Sequence, residues 1–491
     1  LSIFPSSKDW IFIILAGCQT TSRHAPDEMT DKEYREILLS VYKDQPADTL
    51  TPTVTQPNKL DLLALAEQQQ FDQLEGYFTS LYAAVNAKQV NEDWLRQAHH
   101  AFYNSDPALQ QYLDSWITSY PNSYFAFLSR GIYWMRHAEL SRGGDYSSNT
   151  QTRQKLGMDH YQQIALADIH KASELDTNAF LPYSYMMSIG RSRRDKDAYL
   201  TARSEGLARY PESFILRNEI LFSLQPKWGG TEGELDLFLD ETSRYAKVNP
   251  ELQSLLGYKD LIKGDVMKND DRQAAIAFYD AAIECGGNDY MYFSRGENYY
   301  YKGEYQQALS DFNRALTFYP QHYLSLRYKA WALYKLKKYK QAITIFELAL
   351  QIDKLAPGAN YGLAYTLSTQ GRHQEAVKYY EASVKHYGAY KAQTLSNYGR
   401  MLLWDLKNYE RAAEILKRAT EVNSKSPSAW YNYGVALNHL RDCDVISIHK
   451  TYLQLCKGNK RCSKKNNEWV SQNSAALIGN GTCKDQPMFL Y

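Results

Sequence analysis

Small residues recur in the second half of this chain at intervals close to 34 residues. The alanines in question are Ala275, Ala308, Ala342, Ala376 and Ala412, and Ile446 follows at the same interval. A larger residue comes four positions after each alanine and a small residue three positions later, so all three lie on one helical face. A repeat of this length forms one pair of helices that buries its apolar face only against its neighbours. A chain of 491 residues can therefore fold without one large core.

The clearest unit resembles the tetratricopeptide repeat (TPR) at nearly every defining position. It reads Tyr292-x2-Arg295-Gly296-x2-Tyr299, then Ala308, Phe312, Ala315 and Pro320. The resemblance implies an all-α fold, a right-handed TPR superhelix (α-solenoid) of antiparallel helix pairs, with repeats over residues 256–460. A generic helical bundle is the alternative, but it would not keep a period so near 34 residues.

The first half has a looser version of the same pattern. Phe127-x2-Arg130-Gly131-x2-Trp134 resembles a first TPR helix, and Ala165-x3-Ile169-x2-Ala172 its partner after an insertion. We predict a helical TPR-like domain with insertions over residues 61–250. Residues 70–240 also resemble a domain of unassigned function found beside TPRs in bacterial proteins. Its Trp228-Gly229-Gly230 turn is interpreted as a helix-ending turn with a packed Trp, the alternative being a functional loop.

The first residues resemble a bacterial lipoprotein signal. A short apolar run ends in Leu15-Ala16-Gly17-Cys18, which is similar to a lipobox, so residues 1–17 are interpreted as a signal peptide. The resemblance implies lipidation at Cys18, and Gln19 after it favours a periplasm-facing position at the bacterial outer membrane. The alternative is a chance apolar stretch with a buried Cys. Residues 18–60 are polar and rich in Pro, as expected of a flexible tether.

Four cysteines lie in the last fifty residues, and an exported protein would oxidise accessible pairs. If residues 444–456 form a helix, Cys443 and Cys456 lie at opposite ends of it and cannot pair. Cys462 follows a short loop after that helix and so meets Cys456, whereas Cys483 follows the next helix and returns to the Cys443 end. We therefore predict the disulfides Cys456–Cys462 and Cys443–Cys483 in a cap over residues 461–491. A four-Cys zinc site is the alternative, but the usual C-x2-C pairs are missing.

The sequence carries no motif of a known catalytic or phosphate-binding site. The adjacent His99 and His100 would point about 100° apart on a helix and cannot easily share a metal. We expect no enzyme activity, no cofactor and no metal, although an enzyme in residues 70–240 stays as an alternative. A net charge of +1 gives no basic excess for binding nucleic acid.

In TPR proteins the first helices line a concave groove that holds a protein or peptide partner. The TPR resemblance places thirteen residues there: Tyr290, Phe293, Glu297, Tyr300, Tyr301, Arg327, Trp331, Tyr334, Tyr361, Tyr365, Arg400, Trp404 and Tyr431. Aromatic residues and Arg dominate binding hot spots, although some of these side chains could instead pack between repeats. The leading hypothesis is a TPR scaffold or adaptor lipoprotein in bacterial envelope assembly or secretion. The alternative is a glycan-binding component of polysaccharide export.

Overall fold

The structure is a computed structural model that describes residues 54–143, 150–385, 391–460 and 462–484. These ranges contain α-helices and two short 3-10 helices and no strand, which confirms the predicted all-α fold. The predicted signal peptide, the lipidation site at Cys18 and most of the predicted tether lie outside the described residues. They stay predictions.

Helices follow one another along the described chain with short connections. The first ten are α1 (Lys59–Glu67), α2 (Phe71–Asn86), α3 (Glu92–His100), α4 (Leu109–Ser119), α5 (Tyr124–Arg142), α6 (Thr152–Leu175), α7 (Leu181–Arg193), α8 (Lys196–Arg209), α9 (Phe214–Ser223) and α10 (Glu232–Tyr245). The two 3-10 helices are Pro226–Trp228 and Pro250–Gly257.

The remaining helices of the described chain are the six pairs that the 34-residue period predicts, followed by one helix of the C-terminal cap. They are α11 (Tyr258–Met267), α12 (Arg272–Glu284), α13 (Asp289–Lys302), α14 (Tyr305–Phe318), α15 (Tyr323–Lys335), α16 (Tyr339–Ile352), α17 (Pro357–Thr369), α18 (His373–Lys385), α19 (Lys391–Trp404), α20 (Tyr409–Val422), α21 (Pro427–Leu440), α22 (Val445–Cys456) and α23 (Lys464–Gly479).

Three helices end at a Tyr-Pro pair in the same way. Tyr120, Tyr210 and Tyr319 cap α4, α8 and α14 with φ near −130°, and each donates its backbone N–H to a carbonyl four residues earlier. A residue before proline is excluded from the helical region, so the helix has to stop there. The three pairs therefore mark helix ends that are visible in the sequence.

The small residues allow the two helices of a pair to approach closely. A Cβ at Gly296 would lie 2.9 Å from the Phe312 ring, and a Cβ at Gly399 would lie 2.5 Å from Leu416. A side chain at either position would force the facing residue to move. The period in the sequence thus follows from the close packing of each pair.

An Arg-Gly pair in α5 and another in α13 have the same surroundings. Arg295 donates two hydrogen bonds to Asp311 (2.8 and 2.6 Å) and one to Asp280 on the preceding helix (2.6 Å). Arg130 does the same with Asp168 (2.8 and 2.7 Å) and Asp114 (2.9 Å). Helices α5 and α6 therefore form a hairpin of the predicted type, although an insertion separates them.

Close packing divides the chain into two compact units. The first unit contains the described residues up to Arg142, together with Gln151–Lys337 and Gln351–Asp353. The second contains Lys338–Leu350 and the chain from Lys354 onward. Within each unit a helix packs chiefly against the helices before and after it, which is the arrangement of a solenoid.

In the first unit, α1 to α3 also contact turns that are distant in sequence, in addition to the contacts between neighbouring helices. Glu92 at the start of α3 accepts hydrogen bonds from the Ser213 hydroxyl (2.9 Å) and from the Ile215 backbone N–H (2.7 Å) at the start of α9. At the end of α3, the Tyr319 hydroxyl lies 3.0 Å from His100 Nδ1. Helix α3 therefore spans turns that lie more than one hundred residues apart in sequence.

Three further contacts join distant parts of the first unit. The Lys59 backbone N–H donates to the Gln321 side chain (2.6 Å), and the Gln97 amide donates to the Phe318 carbonyl (3.2 Å). Arg136 on α5 donates to the buried Asp353 (3.1 Å). We call α1 to α3 the brace, because they connect repeats that a simple solenoid would leave in contact only with their neighbours.

The C-terminal cap contains the two predicted disulfides, which are confirmed. Cys456 pairs with Cys462 and Cys443 with Cys483, with Cα–Cα distances of 5.5 and 5.3 Å. Helix α22 separates Cys443 from Cys456, as the pairing argument required. All four sulfurs are consumed in these bonds, so the alternative of a four-Cys zinc site is excluded.

Candidate partner-binding surface

In the first unit the predicted groove residues lie on α13 and α15, the first helices of two repeats. Tyr290, Phe293, Glu297 and Tyr300 are on α13, whereas Arg327, Trp331 and Tyr334 are on α15. Their spacing of three, four or seven residues places the members of each set on one helical face. Their burial differs, and this decides which of them a partner could touch.

Phe293 and Tyr290 are used mainly inside the protein. Phe293 is only 6% exposed, and its ring packs against Tyr328 and His322 at centroid distances of 5.7 and 5.4 Å. The hydroxyl of the half-buried Tyr290 donates to Asp265 (3.2 Å). Burial and the nearby Asp265 raise the pKa of Tyr290. Phe293 therefore supports the surface and does not offer its ring to a partner.

The neighbouring tyrosines form the exposed part of this face. Tyr301 is 51% exposed, and its hydroxyl lies 2.9 Å from that of Tyr328. The half-buried Tyr300 places its ring 5.6 Å from Tyr328. Two arginines cover these rings, since Arg272 lies 4.7 Å from the Tyr301 centroid and Arg327 4.9 Å from that of Tyr328. Aromatic faces paired with arginines form a rigid, mixed polar and apolar surface.

Two aromatic residues on α15 extend the same type of surface. The rings of Trp331 and Tyr334 meet edge to face at 5.6 Å, and both side chains are half-buried. Glu297 on α13 is also half-buried and contributes a carboxylate that raises the pKa of Tyr328, in addition to the larger effect of burial. The face of the first unit thus presents aromatic rings with charges of both signs.

In the second unit the surface centres on Trp404 at the end of α19. Trp404 is 48% exposed, and its indole N–H donates to the Asn432 side chain on α21 (3.1 Å). Arg400 lies one turn earlier on α19 and is exposed. The hydrogen bond holds the indole edge while the ring stays accessible. An amphipathic ring of this kind is common in binding hot spots.

The other predicted residues of the second unit are more buried. Tyr361 is 7% exposed, and its hydroxyl accepts a hydrogen bond from the Asn397 side chain (2.8 Å). Tyr365, one turn later on α17, is half-buried with its ring 5.8 Å from Tyr361. Tyr361 therefore joins α17 to α19 and does not offer its ring to a partner.

Tyr431 packs against the C-terminal cap. Its ring lies 5.6 Å from Tyr452 on α22 and 6.0 Å from Trp469 on α23. Burial raises the pKa of Tyr431. The aromatic row of the second unit is therefore covered at this position by the chain's own last helices.

The Trp-Gly-Gly segment forms the expected helix-ending turn, since Gly229 ends the 3-10 helix Pro226–Trp228, but the prediction of a packed Trp is wrong. Trp228 is 44% exposed, and the Arg191 guanidinium on α7 lies 5.3 Å from its ring and 4.6 Å from that of Phe222. The Lys227 ammonium lies 4.8 Å from the Phe222 ring. Sequence reasoning missed Arg191 as the partner of Phe222 and Trp228, and Arg272 as the partner of Tyr301. Neither arginine is near its aromatic partner in the sequence.

The adjacent histidines have separate partners, as their angular separation predicts. His99 Nδ1 lies 3.0 Å from the Ser129 hydroxyl, whereas His100 faces Tyr319. Burial lowers the pKa of His99 to about 3, so it is neutral at ordinary pH. Within the described ranges no group of three or more His, Cys, Asp or Glu side chains could hold a metal ion.

Comparisons with known families agree with the repeat geometry. Residues 293–358 and 355–425 each match a family described as tetratricopeptide repeat. This chain carries tetratricopeptide repeats. Residues 58–195 match a domain of unknown function, DUF4034, which overlaps the brace and the first hairpins. No curated protein shows significant sequence similarity to the chain.

Several solved structures are similar over long stretches at low sequence identity. The P58(IPK) TPR domain is 17% identical, covers 65% of this chain and 94% of its own, and has a TM-score of 0.24. Yeast Tom70 is 15% identical, with coverages of 86% and 96% and a TM-score of 0.35. The APC/C hetero-tetramer Cut9-Hcn1 is 13% identical, with coverages of 84% and 96% and a TM-score of 0.39.

The TPR repeats support a protein–protein interaction scaffold. Their first helices carry the two most exposed aromatic residues of the predicted groove, Tyr301 and Trp404. In the part of the chain that the structure describes, no helix has the length and apolar character required to cross a membrane.

Proposed function

We propose that this protein is a lipid-anchored TPR adaptor that holds an extended segment of another protein against its first helices during envelope assembly or secretion. The observation that carries the binding role is Trp404. Its indole N–H is fixed by Asn432 while nearly half of the side chain stays exposed beside Arg400. A pre-organised aromatic ring loses little side-chain entropy when a partner covers it.

The anchored, periplasm-facing position is supported by the lipobox-like Leu15-Ala16-Gly17-Cys18. The two disulfides of the cap also support an oxidising compartment. Acyl chains on Cys18 would hold the protein at the bacterial outer membrane. In this proposal the protein works by binding and performs no catalysis.

Photo-crosslinking in intact cells tests the binding role. A crosslinking residue in place of Trp404 should capture the same protein as one in place of Arg400, because both positions lie on one face of α19. The same residue in place of Phe318 is the matched control, since Phe318 is exposed at the end of a second helix. Mass spectrometry identifies the captured protein and the segment that was linked.

The captured segment, made as a peptide, then gives a quantitative test. Trp404→Ala and Arg400→Ala should each weaken its binding at least tenfold, as expected for hot-spot residues. Phe318→Ala should leave the affinity unchanged. Equal capture at all three positions, or unchanged affinity in the first two variants, would contradict the proposal.

A further inference from the structure

The end of the second unit carries a concentration of positive charge. Residues 445–484 contain seven Lys or Arg and a single acidic residue, Glu468, in a chain whose net charge is only +1. Six of these cations lie on α22, on the loop after it and on the first turn of α23, and five of the six are lysines at positions that the structure describes. We call these five lysines the basic cap: Lys450, Lys457, Lys460, Lys464 and Lys465.

A disulfide fixes the backbone that presents the basic cap. Cys456 and Cys462 close a loop with a sequence separation of 6 residues that carries Lys457 and Lys460. Inside the loop the Asn459 N–H donates to the Cys456 carbonyl and the Cys462 N–H donates to the Asn459 carbonyl, both at 3.1 Å. The lysines of the loop therefore extend from a backbone that is ordered before any partner arrives.

The folding of α23 does not explain its lysines. Lys464 and Lys465 occupy its first turn, which contains no acidic residue. Positive charge is unfavourable there, because the helix dipole places partial positive charge at the N-terminus. The ion pair of Lys464 with Glu468 is long (3.9 Å), and Lys before Glu is the weaker order for such a pair. These lysines weaken the helix, so a role outside folding accounts better for them.

The surface between the lysines is open and shallow. A recess of about 550 Å³ lies beside the disulfide, and its lining contains Lys450, Lys457, Leu453, Gln454, Cys456 and Asn467. Lys457, Lys460, Lys464 and Lys465 are exposed. The recess is too open to enclose a small molecule, and it offers a single aliphatic side chain.

We propose that the basic cap binds the surface of a membrane that contains acidic phospholipids. Lysine is depleted in protein–protein interfaces, whereas lysine clusters are attracted by the diffuse negative potential of acidic lipids. Single-stranded nucleic acids are bound with stacked aromatic rings, and none lines the recess. The binding is electrostatic and superficial, and it is independent of the TPR partner surface.

The test uses the complete chain with Cys18→Ser in every version, so that no acyl group contributes. Sedimentation with phosphatidylglycerol-rich vesicles should show binding that neutral phosphatidylcholine vesicles do not. Each lysine near an acidic surface contributes about fivefold to partitioning. Changing Lys457, Lys460, Lys464 and Lys465 to Gln should therefore reduce binding more than about 100-fold. Binding should also fall steeply between about 0.1 and 1 M salt, because the screening length shortens to about 3 Å.

A variant with the same loss of charge serves as the control. It carries Gln at four exposed and dispersed lysines, Lys155, Lys196, Lys247 and Lys425, and should bind almost as well as the parent chain. Circular dichroism and a non-reduced digest check that both variants keep their helices and the Cys456–Cys462 bond. Equal losses in the two variants, or equal binding to neutral vesicles, overturn the proposal. Displacement by inorganic phosphate at constant ionic strength would indicate a discrete phosphate site and overturns it too.

Discussion

At the scale of single residues, Arg295 shows how a repeat is fixed internally. Its guanidinium holds Asp311, which is almost fully buried and whose pKa is raised by burial even though Arg295 lowers it. Removing the arginine leaves a buried carboxylate without its counter-charge, so Arg295→Met should lower the free energy of unfolding by about 3 kcal/mol. Urea unfolding followed by circular dichroism measures this change.

Arg314→Met is the matched control for this prediction. Arg314 is exposed and lies over the rings of Tyr292 and Phe318 without a buried carboxylate to neutralise. Its loss should cost less than about 1 kcal/mol. A second readout is Asp311→Asn in the Arg295→Met background, which should recover part of the stability because a neutral amide replaces the buried charge. Equal costs for the two arginine variants would refute the argument.

Glu92 gives the first unit an unusual dependence on pH. Burial raises its pKa to about 8, although the hydrogen bonds from Ile215 and Ser213 lower it, and burial raises that of the neighbouring Glu251 to about 7. The folded state therefore binds protons that the unfolded state releases near pH 4.3. Proton binding by the two carboxyl groups therefore stabilises the folded state fully below that pH. This stabilisation is lost progressively as pH rises from there through 7 and 8, at up to about 1.4 kcal/mol per pH unit and group.

The Glu92→Gln variant isolates this effect, because Gln keeps an acceptor for Ser213 and Ile215 and carries no charge. We expect the variant to match the parent chain near pH 4 and to be more stable near pH 8, as measured by urea unfolding at both values. Glu284→Gln, at an exposed position, should change neither value. A variant that is less stable than the parent at pH 8 would show that the ionised carboxylate is favourable in this position.

At the scale of elements, the two disulfides of the cap differ in the length of chain that they close. Cys443–Cys483 spans 40 residues and Cys456–Cys462 spans 6. In the chain-entropy account they restrict the unfolded chain by about 4 and about 2 kcal/mol respectively. Replacing the first pair by Ser should therefore destabilise the cap about twice as much as replacing the second. Hydrogen exchange at the buried Val470 and Tyr452 measures the difference.

The elements also show what could be predicted from the sequence. Residues that set local geometry, such as Gly296 between two helices and the Tyr-Pro stops, repeat with the period and predict the helix pairs. The turn after Trp404 is irregular, because the Asn408 N–H there reaches back six residues to the Leu402 carbonyl (2.9 Å). The burial of Phe293 and Tyr361 could not be predicted, because it depends on rings from other repeats that the period does not specify.

At the scale of the whole molecule, the brace is the part of the fold that periodicity could not reveal. Its contacts join single residues that are far apart, such as Glu92 with Ile215 and Lys59 with Gln321. These contacts involve the turns before first helices, where backbone N–H groups at the helix N-terminus need an acceptor such as the Glu92 side chain. Only the three-dimensional arrangement brings these turns into one row, so no local pattern in the sequence marks them.

The brace predicts long-range cooperativity within the first unit. In a simple solenoid a core substitution loosens only the adjacent repeats. Leu95→Ala, in the fully buried part of α3, should instead speed hydrogen exchange at two distant turns. These are the Leu216 amide near the start of α9 and the Leu326 amide near the start of α15, which is bonded to the His322 carbonyl (3.1 Å).

Leu261→Ala provides the comparison, because Leu261 is equally buried but lies in α11, which packs chiefly on α12 and the preceding 3-10 helix. Each substitution should cost about 2 to 5 kcal/mol in total. The Leu261 variant should expose amides of α11 and α12 and leave Leu326 protected, whereas the Leu95 variant should expose Leu216 and Leu326 together. If Leu95→Ala loosens only α2 to α4, α3 does not couple the repeats and the first unit behaves as an ordinary solenoid.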